Sequence, residues 1–274
     1  MKNPFEHAER SNQELWDELA PVHARSYREV AILKEGGIAL DEIELEEIGD
    51  VRGKTLLHLQ CHIGTDTLSW VRQGARVTGV DFSADSIAIA KRLGQELQLD
   101  ATFLRASVYE LPEVLHEQFD IVYTSRGVLC WLRDLDKWGR IIAQFLKPGG
   151  IFYIMESHPI CNIFDDRKPG ELTITLPYFH GSAPAFWEAD TPDYADGTYI
   201  PRHPAYEWQW SLSDILNALL KAGLHLESFK EYERLFFKRF PEMVSCSERW
   251  YCFPRYGGKL PLMFTLKARK PGDF

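Results

Sequence analysis

The chain has 274 residues, of which 45% are hydrophobic, and its formal net charge at pH 7 is −9. This length fits one large or two small domains with a sizeable apolar core. The acidic balance, with 31 Lys and Arg against 40 Asp and Glu, argues against a surface that follows the phosphates of nucleic acid.

The sequence also bears on the compartment. No apolar stretch is long enough to span a bilayer, and the first 20 residues lack the cationic start and apolar run of a signal peptide. The cysteines are odd in number and lack metal-ligand spacing; they are Cys61, Cys130, Cys161, Cys246 and Cys252. We therefore expect reduced thiols in a cytoplasmic protein without a bound metal or a membrane partner.

Residues 1–54 are predicted to form helices that precede the first strand. The pattern Ser11-x-x-Glu14 is typical of a capping box at a helix start, and Pro21 is expected to begin a second segment. The acidic run 41–47 is expected to be a solvated helix face. These helices therefore predict an N-terminal cover for the domain that follows.

The stretch 55–83 is the most informative part of the chain. An apolar run from Thr55 enters a tight turn with Gly64 at a helix start, and a second apolar strand begins at Arg76 and ends at Asp81. Such a turn offers backbone N–H groups and the positive end of a helix to an anionic group. Asp81 can accept hydrogen bonds from both hydroxyls of a ribose. The pattern predicts half of a nucleoside-binding α/β unit.

The alternation of strands and helices continues beyond this unit. Strands are predicted at 101–106, 119–124 and 151–156, and residues 55–156 would form the core. Region 211–274 contributes a helix at 213–222 and two strands, at 224–232 and 260–270.

Residues 157–210, between the fifth strand and the last helix, are rich in aromatic residues and proline. A loop of this length is usually functional or disordered, and its aromatic content argues against disorder. We expect a lid over a ligand site; a dimerisation arm or a surface cover is the alternative. The predicted walls of the lid are Phe164, Tyr178, Phe179, Phe186 and Trp187.

From 55 onward the sequence resembles the class I S-adenosylmethionine-dependent methyltransferases. The run from His58 to Gly64 matches their motif I, acid-x-Gly-x-Gly-x-Gly, although the acid and two glycines are replaced. Asp81-Phe82 matches the following acidic motif, and Leu-Lys-Pro-Gly-Gly at 146–150 precedes the fifth strand as in the family. The resemblance implies a single α/β domain with a Rossmann-like, mostly parallel seven-stranded sheet, helices on both faces and an antiparallel last strand pair.

The resemblance also implies S-adenosyl-L-methionine as cofactor. Asp81 would hold the ribose, Phe82 would cover the adenine, and Ser107 would stand in for an acid that binds the adenine amino group. The aromatic residues Trp16 and Tyr27 either close this site or pack their helix onto the sheet. The residues expected to bind the cofactor are Tyr27, Gln60, His62, Gly64, Asp81, Phe82, Ser107, Val108 and Ser125.

Methyl transfer requires alignment of the acceptor and, if the acceptor must lose a proton, a general base. The candidate catalytic residues are His158 and Glu156, which leave the fifth strand at its ligand edge. His158 is favoured because its ordinary pKa suits proton transfer at neutral pH. Tyr178 and His180 are further candidates in the insertion.

Three other functions are alternatives to the methyltransferase hypothesis. A nicotinamide-dependent oxidoreductase requires Gly-x-Gly-x-x-Gly, which is absent from the turn after the first strand. A nucleic-acid amino-methyltransferase would carry Asn/Asp-Pro-Pro-aromatic after the fourth strand, where this chain has Thr124-Ser-Arg-Gly127. A non-catalytic S-adenosylmethionine-binding protein would explain the altered motif I, and a site filled by Trp16 and His62 would favour it. We predict a methyltransferase, monomeric or homodimeric, that acts on a small, partly apolar organic molecule.

Overall fold

A computed structural model describes residues 5–165 and 169–272 of the chain. The helices are α1 Glu6–Ser26, α2 Arg28–Lys34, α3 Glu42–Ile48, α4 Thr65–Arg72, α5 Ala84–Leu97, α6 Leu111–Val114, α7 Leu135–Phe145 and α8 Leu212–Lys221. The strands are β1 Thr55–Leu59, β2 Arg76–Asp81, β3 Thr102–Arg105, β4 Phe119–Thr124, β5 Leu146–Ser157, β6 Ala185–Trp187, β7 Ala205–Glu207, β8 His225–Tyr232, β9 Arg234–Leu235, β10 Val244–Ser245, β11 Tyr251–Cys252 and β12 Met263–Arg269.

The main sheet has seven strands in the order β3-β2-β1-β4-β5-β12-β8. The first five strands pair in parallel, whereas β12 runs antiparallel to both β5 and β8. This confirms the predicted mostly parallel sheet with an antiparallel last strand pair. The strand order reverses between β1 and β4, and ligands bind at such switch points, outside the carboxyl ends of the strands.

Buried side chains cover both faces of this sheet, as expected for parallel strands between helices. On one face Val122 and Phe152 pack with Trp138 of α7. On the other, Tyr123 and Trp70 of α4 pack with residues of α3 and of the region between β8 and β12. The alternation of side chains along β4 therefore assigns Val122 and Tyr123 to opposite faces.

Helix α1 differs from the prediction, since it begins at Glu6 and continues through both Ser11 and Pro21. Ser11 does not cap a helix; its hydroxyl donates to the carbonyl oxygen of Pro204 at 2.9 Å. Pro21 removes one backbone hydrogen bond, but the neighbouring Ala20 and Val22 are fully buried. The packing of α1 on the rest of the protein therefore outweighs the tendency of Pro21 to interrupt the helix.

The predicted solvated face at 41–47 is wrong for two of its carboxylates. Asp41 caps α3 through a capping box with Glu44, yet the Glu44 side chain has no exposed surface. The Glu47 side chain is 7% exposed and lies 2.8 Å from Lys230 Nζ, while the hydroxyl of Tyr153 donates to it at 2.9 Å. Partners that are distant in sequence compensate these charges, so the acidic run faces inward at both positions.

Segment 157–210 lies between β5 and α8, and β6 and β7 pair within it. Helix α1 holds this segment at several points. The Asn12 amide donates to Tyr206 O at 2.7 Å, and Tyr206 N donates back to Asn12 Oδ1 at 2.8 Å. The Glu18 carboxylate accepts hydrogen bonds from the Tyr199 hydroxyl at 2.6 Å and from Arg202 N at 3.0 Å.

The expectation of five reduced thiols is wrong for one pair, because Cys246 and Cys252 form a disulfide. Strands β10 and β11 are antiparallel with Val244 opposite Cys252, which places Cys246 just beyond the end of the pair. The Cα atoms of the two cysteines are 5.8 Å apart, within the usual range for a disulfide. No helix in the part of the chain that the structure describes is both long and apolar enough to cross a membrane.

Candidate active site

A cavity of about 1650 Å³ opens at the carboxyl ends of β1, β2 and β4. Gln60, Asp81 and Ser125, which end or directly follow these three strands, all line it. Helix α1 and segment 157–210 contribute further lining residues, including Trp16 and Trp187. The predicted cover and lid regions both border the space at the ligand edge of the sheet.

In the turn after β1, two residues that are not glycine adopt a backbone conformation that usually favours glycine. Gln60 and His62 have φ of +55° and +47°, in the left-handed region that costs a non-glycine residue roughly 1–2 kcal/mol. Gly64 has φ of +78°, and a Cβ there would lie 2.9 Å from the ring of Phe103. Glycine is thus required at Gly64, whereas the other two positions tolerate strain.

Asp81 holds this turn in place. One carboxylate oxygen accepts from His62 N and the other from Ser83 N, each at 2.9 Å. Burial raises the pKa of Asp81 to about 6, although the hydrogen bonds from Ser83 and His62 work in the opposite direction. Each oxygen keeps a further lone pair for an incoming donor.

The side chain of His62 connects the turn to the insertion. Its Nδ1 is 2.9 Å from the Ser86 hydroxyl and its Nε2 is 2.9 Å from His23 Nδ1. His23 Nε2 in turn lies 3.2 Å from the carboxylate of Asp193. Burial, with His23 nearby, lowers the pKa of His62 well below its usual value. His62 is therefore neutral at physiological pH.

Trp16 packs edge-on against His62, with ring centroids 5.0 Å apart. Both residues line the cavity, and about 1650 Å³ of space remains beside them. The condition set for a non-catalytic protein, a site filled by these two side chains, is therefore not met.

His58 occupies the acidic position of motif I. It is buried, and burial lowers its pKa to about 3, so the side chain is uncharged. Its ring nitrogens lie 2.8 Å from Thr67 Oγ1 and 3.2 Å from Ser125 Oγ. The usual acid is thus replaced by a neutral group that fixes Ser125.

Gln60 provides a free acceptor at the same turn. Its amide nitrogen donates to Val128 O at 3.0 Å, while its buried Oε1 has no hydrogen-bond partner among the described residues. An unpartnered buried acceptor costs stability unless a ligand donor reaches it. An ammonium group bound at this turn fits that need.

Eight of the nine residues predicted to bind the cofactor line the cavity. They are Tyr27, Gln60, His62, Asp81, Phe82, Ser107, Val108 and Ser125. The exception is Gly64, which forms the start of α4 beneath the turn. The structure therefore brings the predicted set together.

The two predicted bases do not have the geometry of a free base. Glu156 borders the cavity, but its oxygens accept from the backbone N–H groups of Gly127 at 2.8 Å and Val128 at 2.7 Å. Burial raises the pKa of Glu156, while these bonds oppose the shift. The contacts assign it to fixing the loop after β4.

His158 points away from the cavity. Its Nδ1 accepts from Ile160 N at 3.1 Å, and its Nε2 lies 3.0 Å from a Glu231 oxygen on β8. Ser157 and Pro159, on either side, line the cavity instead, which follows from the alternation of side chains along an extended chain. His158 is therefore not placed to act as a base in this cavity.

The aromatic walls predicted for the lid are wrong except for Trp187. Phe179 and Phe186 are exposed, and Phe164 packs in the core against Phe240. The hydroxyl of Tyr178 accepts from Leu212 N at 3.1 Å. His180, the other predicted polar element, stacks on Trp210 and does not line the cavity.

Several charged residues that line the cavity are absent from the predicted set, and among them are Asp66 and Arg126. Arg126 forms an ion pair with the buried Glu44, and Tyr123 Oη donates to Glu44 at 2.5 Å and lies 3.4 Å from Asp66 Oδ2. The available signals were weak: a carboxylate in the first turn after Gly64 and a cation directly after β4. No metal-binding group of three or more His, Cys, Asp or Glu occurs in the described ranges.

Comparison with known proteins decides the family. Residues 57–152 match the family described as "Methyltransferase domain". The core of this chain is a class I S-adenosylmethionine-dependent methyltransferase domain. The cofactor of this methyltransferase domain is S-adenosylmethionine, and the carboxylate of Asp81 and the free acceptor of Gln60 suit its ribose hydroxyls and its ammonium group.

Related proteins extend the methyltransferase match. A ubiquinone biosynthesis O-methyltransferase of Caulobacter vibrioides is 29% identical over 144 residues, which are 52% of this chain and 57% of that protein. The chain thus spans about half the length of the curated relatives it matches. A methyltransferase structure from Mesorhizobium loti aligns with a TM-score of 0.56 at 22% identity, covering 83% of this chain and 96% of the other. Another, from Clostridium acetobutylicum, gives 0.58 at 14% identity and covers 94% and 99%. Both structures share the fold of the methyltransferase domain.

Proposed function

We propose that the protein transfers the methyl group of S-adenosylmethionine to a small, partly apolar organic acceptor by in-line displacement. The observation that carries this proposal is the cavity at the switch point of the sheet. Its volume of about 1650 Å³ exceeds the roughly 300–1,000 Å³ typical of a site for one small ligand. It therefore has room for both a cofactor and an acceptor.

The residues present fit the cofactor. Asp81 would accept from the ribose hydroxyls, Phe82, Ser107 and Val108 would surround the adenine, and Gln60 Oε1 would accept from the ammonium group. When bound, the cofactor supplies an activated methyl group on a sulfonium. The chain's own contribution is then to orient the acceptor and exclude water.

The acceptor end of the cavity would lie near the loop after β4. Its aromatic lining combines Trp131 of the loop after β4 with Trp187 and Tyr194 of the insertion and with Phe236 and Phe237 of the region after β8. Such a surface suits a compact organic molecule with few polar groups. We therefore propose segment 157–210 as the lid of the acceptor site, although most of the predicted wall residues are replaced by others.

The test combines binding and transfer. Calorimetry should detect S-adenosylhomocysteine binding, and cofactor with a labelled methyl group should label at least one member of a panel of phenols, thiols, amines and carboxylic acids. Asp81→Ala should weaken binding and abolish labelling at limiting cofactor. Binding without transfer to any acceptor would instead support the non-catalytic alternative.

We also place the protein in the cytoplasm, as a monomer or homodimer that acts on a free small molecule and not on nucleic acid. The net charge of −9 supports the last point, since a phosphate-binding surface needs clustered cations. The Cys246–Cys252 disulfide bears on the proposed cytoplasmic location, because disulfides are rare in reducing compartments. Mass spectrometry after alkylation in intact cells would show whether these thiols are free.

A further inference from the structure

We infer that Asp66 is the proton acceptor for a hydroxyl group of the methyl acceptor, and that the acceptor is therefore a phenol or a similarly weak acid. This inference rests on the proposed function. It gives a specific role to a carboxylate that borders the cavity beside the loop following β4, where the acceptor is expected to lie.

The position of Asp66 is set by α4, which carries it, and by β4, which packs beside it. Asp66 is the second residue of α4, directly after the turn at Gly64. Tyr123 on β4 approaches its Oδ2 at 3.4 Å, a long contact, because the Tyr123 hydroxyl already donates to Glu44 at 2.5 Å. Asp66 is partly buried and lines the cavity together with Arg126. A carboxylate oxygen is thus left to an incoming hydroxyl.

Arg126 complements this carboxylate. Its guanidinium pairs with Glu44 through Nη2, and it lies over the ring of Phe236 at 5.5 Å. Its Nε–H is buried and has no hydrogen-bond partner within the described residues. A donor and an acceptor therefore border the same space. An oxygen of the methyl acceptor could receive the Arg126 Nε–H while its own proton faces Asp66.

The surroundings tune Asp66 for this role. Burial, followed by the Glu44 carboxylate, raises its pKa to about 7, and the Arg126 charge opposes the rise. The titratable and charged groups that face it are Glu29 of α2, Glu44 of α3, Cys61, Tyr123 and Arg126. A base with this pKa is about half ionised at neutral pH, the condition under which general base catalysis is most effective.

Four other titratable side chains that line the cavity already have partners. Glu156 accepts backbone N–H groups, and Asp193 pairs with His23. Asp81 is committed to the turn and the ribose, and His62 is bonded to both Ser86 and His23. Within residues 5–165 and 169–272, the Asp66 side chain makes one hydrogen-bond contact, the long one with Tyr123.

The O–H proton of the acceptor moves to a carboxylate oxygen of Asp66. The oxygen electron pair forms a bond to the methyl carbon while the carbon–sulfur bond breaks and its electron pair stays on sulfur. The products are a methyl ether, the demethylated cofactor and a protonated Asp66, which returns its proton to solvent.

A binding experiment tests this without relying on turnover. At pH 8, 4-nitrophenol is largely ionised in solution, and so is Asp66. Binding the nitrophenolate to the complex with S-adenosylhomocysteine should take up close to one proton, since two neighbouring anions retain one proton between them. Calorimetry in buffers of different ionisation enthalpy counts this proton. Asp66→Asn should reduce the count to about zero, while Glu29→Gln, which removes a neighbouring carboxylate, should leave it unchanged.

A kinetic experiment complements it. Asp66→Asn should lower methylation of unsubstituted phenol by about 10²–10⁴-fold and remove its rise in rate between pH 6 and 8. Methylation of 4-nitrophenol, which needs no base at pH 8, should fall by less than about tenfold. A preserved proton count, or equal losses for the two phenols, would overturn the role of Asp66 while leaving methyl transfer intact. Cofactor binding with no transfer from the wild-type protein to any acceptor would overturn the proposed function and this inference together.

Discussion

The affinity for cofactor should depend on pH through Asp81. The pKa of this carboxyl in the ligand-free protein is about 6 because it is buried, and the ribose hydroxyls need its ionised form as their acceptor. Affinity for S-adenosylhomocysteine should therefore rise from pH 5 to pH 7 and level off above it. Binding should release a proton in the lower part of this range.

The size of the effect follows from the ionised fraction. With a pKa of about 6, roughly one molecule in eleven has an ionised Asp81 at pH 5, compared with about nine in ten at pH 7. The dissociation constant should be about tenfold larger at pH 5 than at pH 7, which corresponds to about 1.4 kcal/mol. Asp81→Asn should bind more weakly, by about 1.5–3 kcal/mol for lost hydrogen bonds to a charged group.

Isothermal calorimetry with S-adenosylhomocysteine at pH 5, 6, 7 and 8 measures both quantities. The Asp81→Asn variant should show no pH dependence. Asp66→Asn should retain it, which separates Asp81 from the other carboxyl that titrates in this range. Equal affinity of the wild type at pH 5 and pH 7, or the same slope in Asp81→Asn, would refute the reasoning.

Three further outcomes are expected. Gly64→Ala should lower the free energy of unfolding by about 1–3 kcal/mol, because φ is +78° and the new Cβ would meet Phe103 at 2.9 Å; urea titration measures it, and an unchanged midpoint would contradict it. His62→Gly should weaken S-adenosylhomocysteine binding although it restores the family residue, since the contacts with Ser86 and His23 are lost; tighter binding would mean that the histidine obstructs the site. Burial raises the pKa of Glu18, but hydrogen bonds from Tyr199, His203 and Arg202 lower it to about 2, so its contribution to stability is present above pH 4.5 and is lost as pH falls towards 2. Thermal unfolding of Glu18→Gln should show a deficit against the wild type at pH 7 that narrows at pH 3, and a deficit equal at both pH values would exclude this origin.

Local patterns were sufficient for the sheet and the cofactor end of the cavity. Apolar runs with turn residues between them determine β1 to β4, and Asp81 ends its strand whatever the rest of the chain does. The turn was also correctly placed, although its positive φ values at Gln60 and His62 could not be inferred from residues that normally avoid them.

Features that depend on distant contacts could not be predicted. The acidic run by itself predicts that Glu44 lies on the surface. In the folded chain, Arg126, 82 positions later, packs against it. In the sequence, His158 stands between two residues that line the cavity, yet its side chain faces β8. The register of the strand determines which of these consecutive side chains point into the cavity. In the insertion, the composition indicated an aromatic lining without indicating which rings would provide it.

The contacts between α1 and the insertion have a consequence for ligand exchange. Asn12 pairs with the backbone of Tyr206 as a neighbouring strand would, and Glu18 and His23 bind the same segment at Arg202 and Asp193. Because of these bonds, a ligand that enters or leaves the cavity cannot displace α1 while segment 157–210 stays in place, or the reverse. Helix and insertion should therefore detach as one cooperative unit, with amide protons in both exchanging at a common rate that also limits product release.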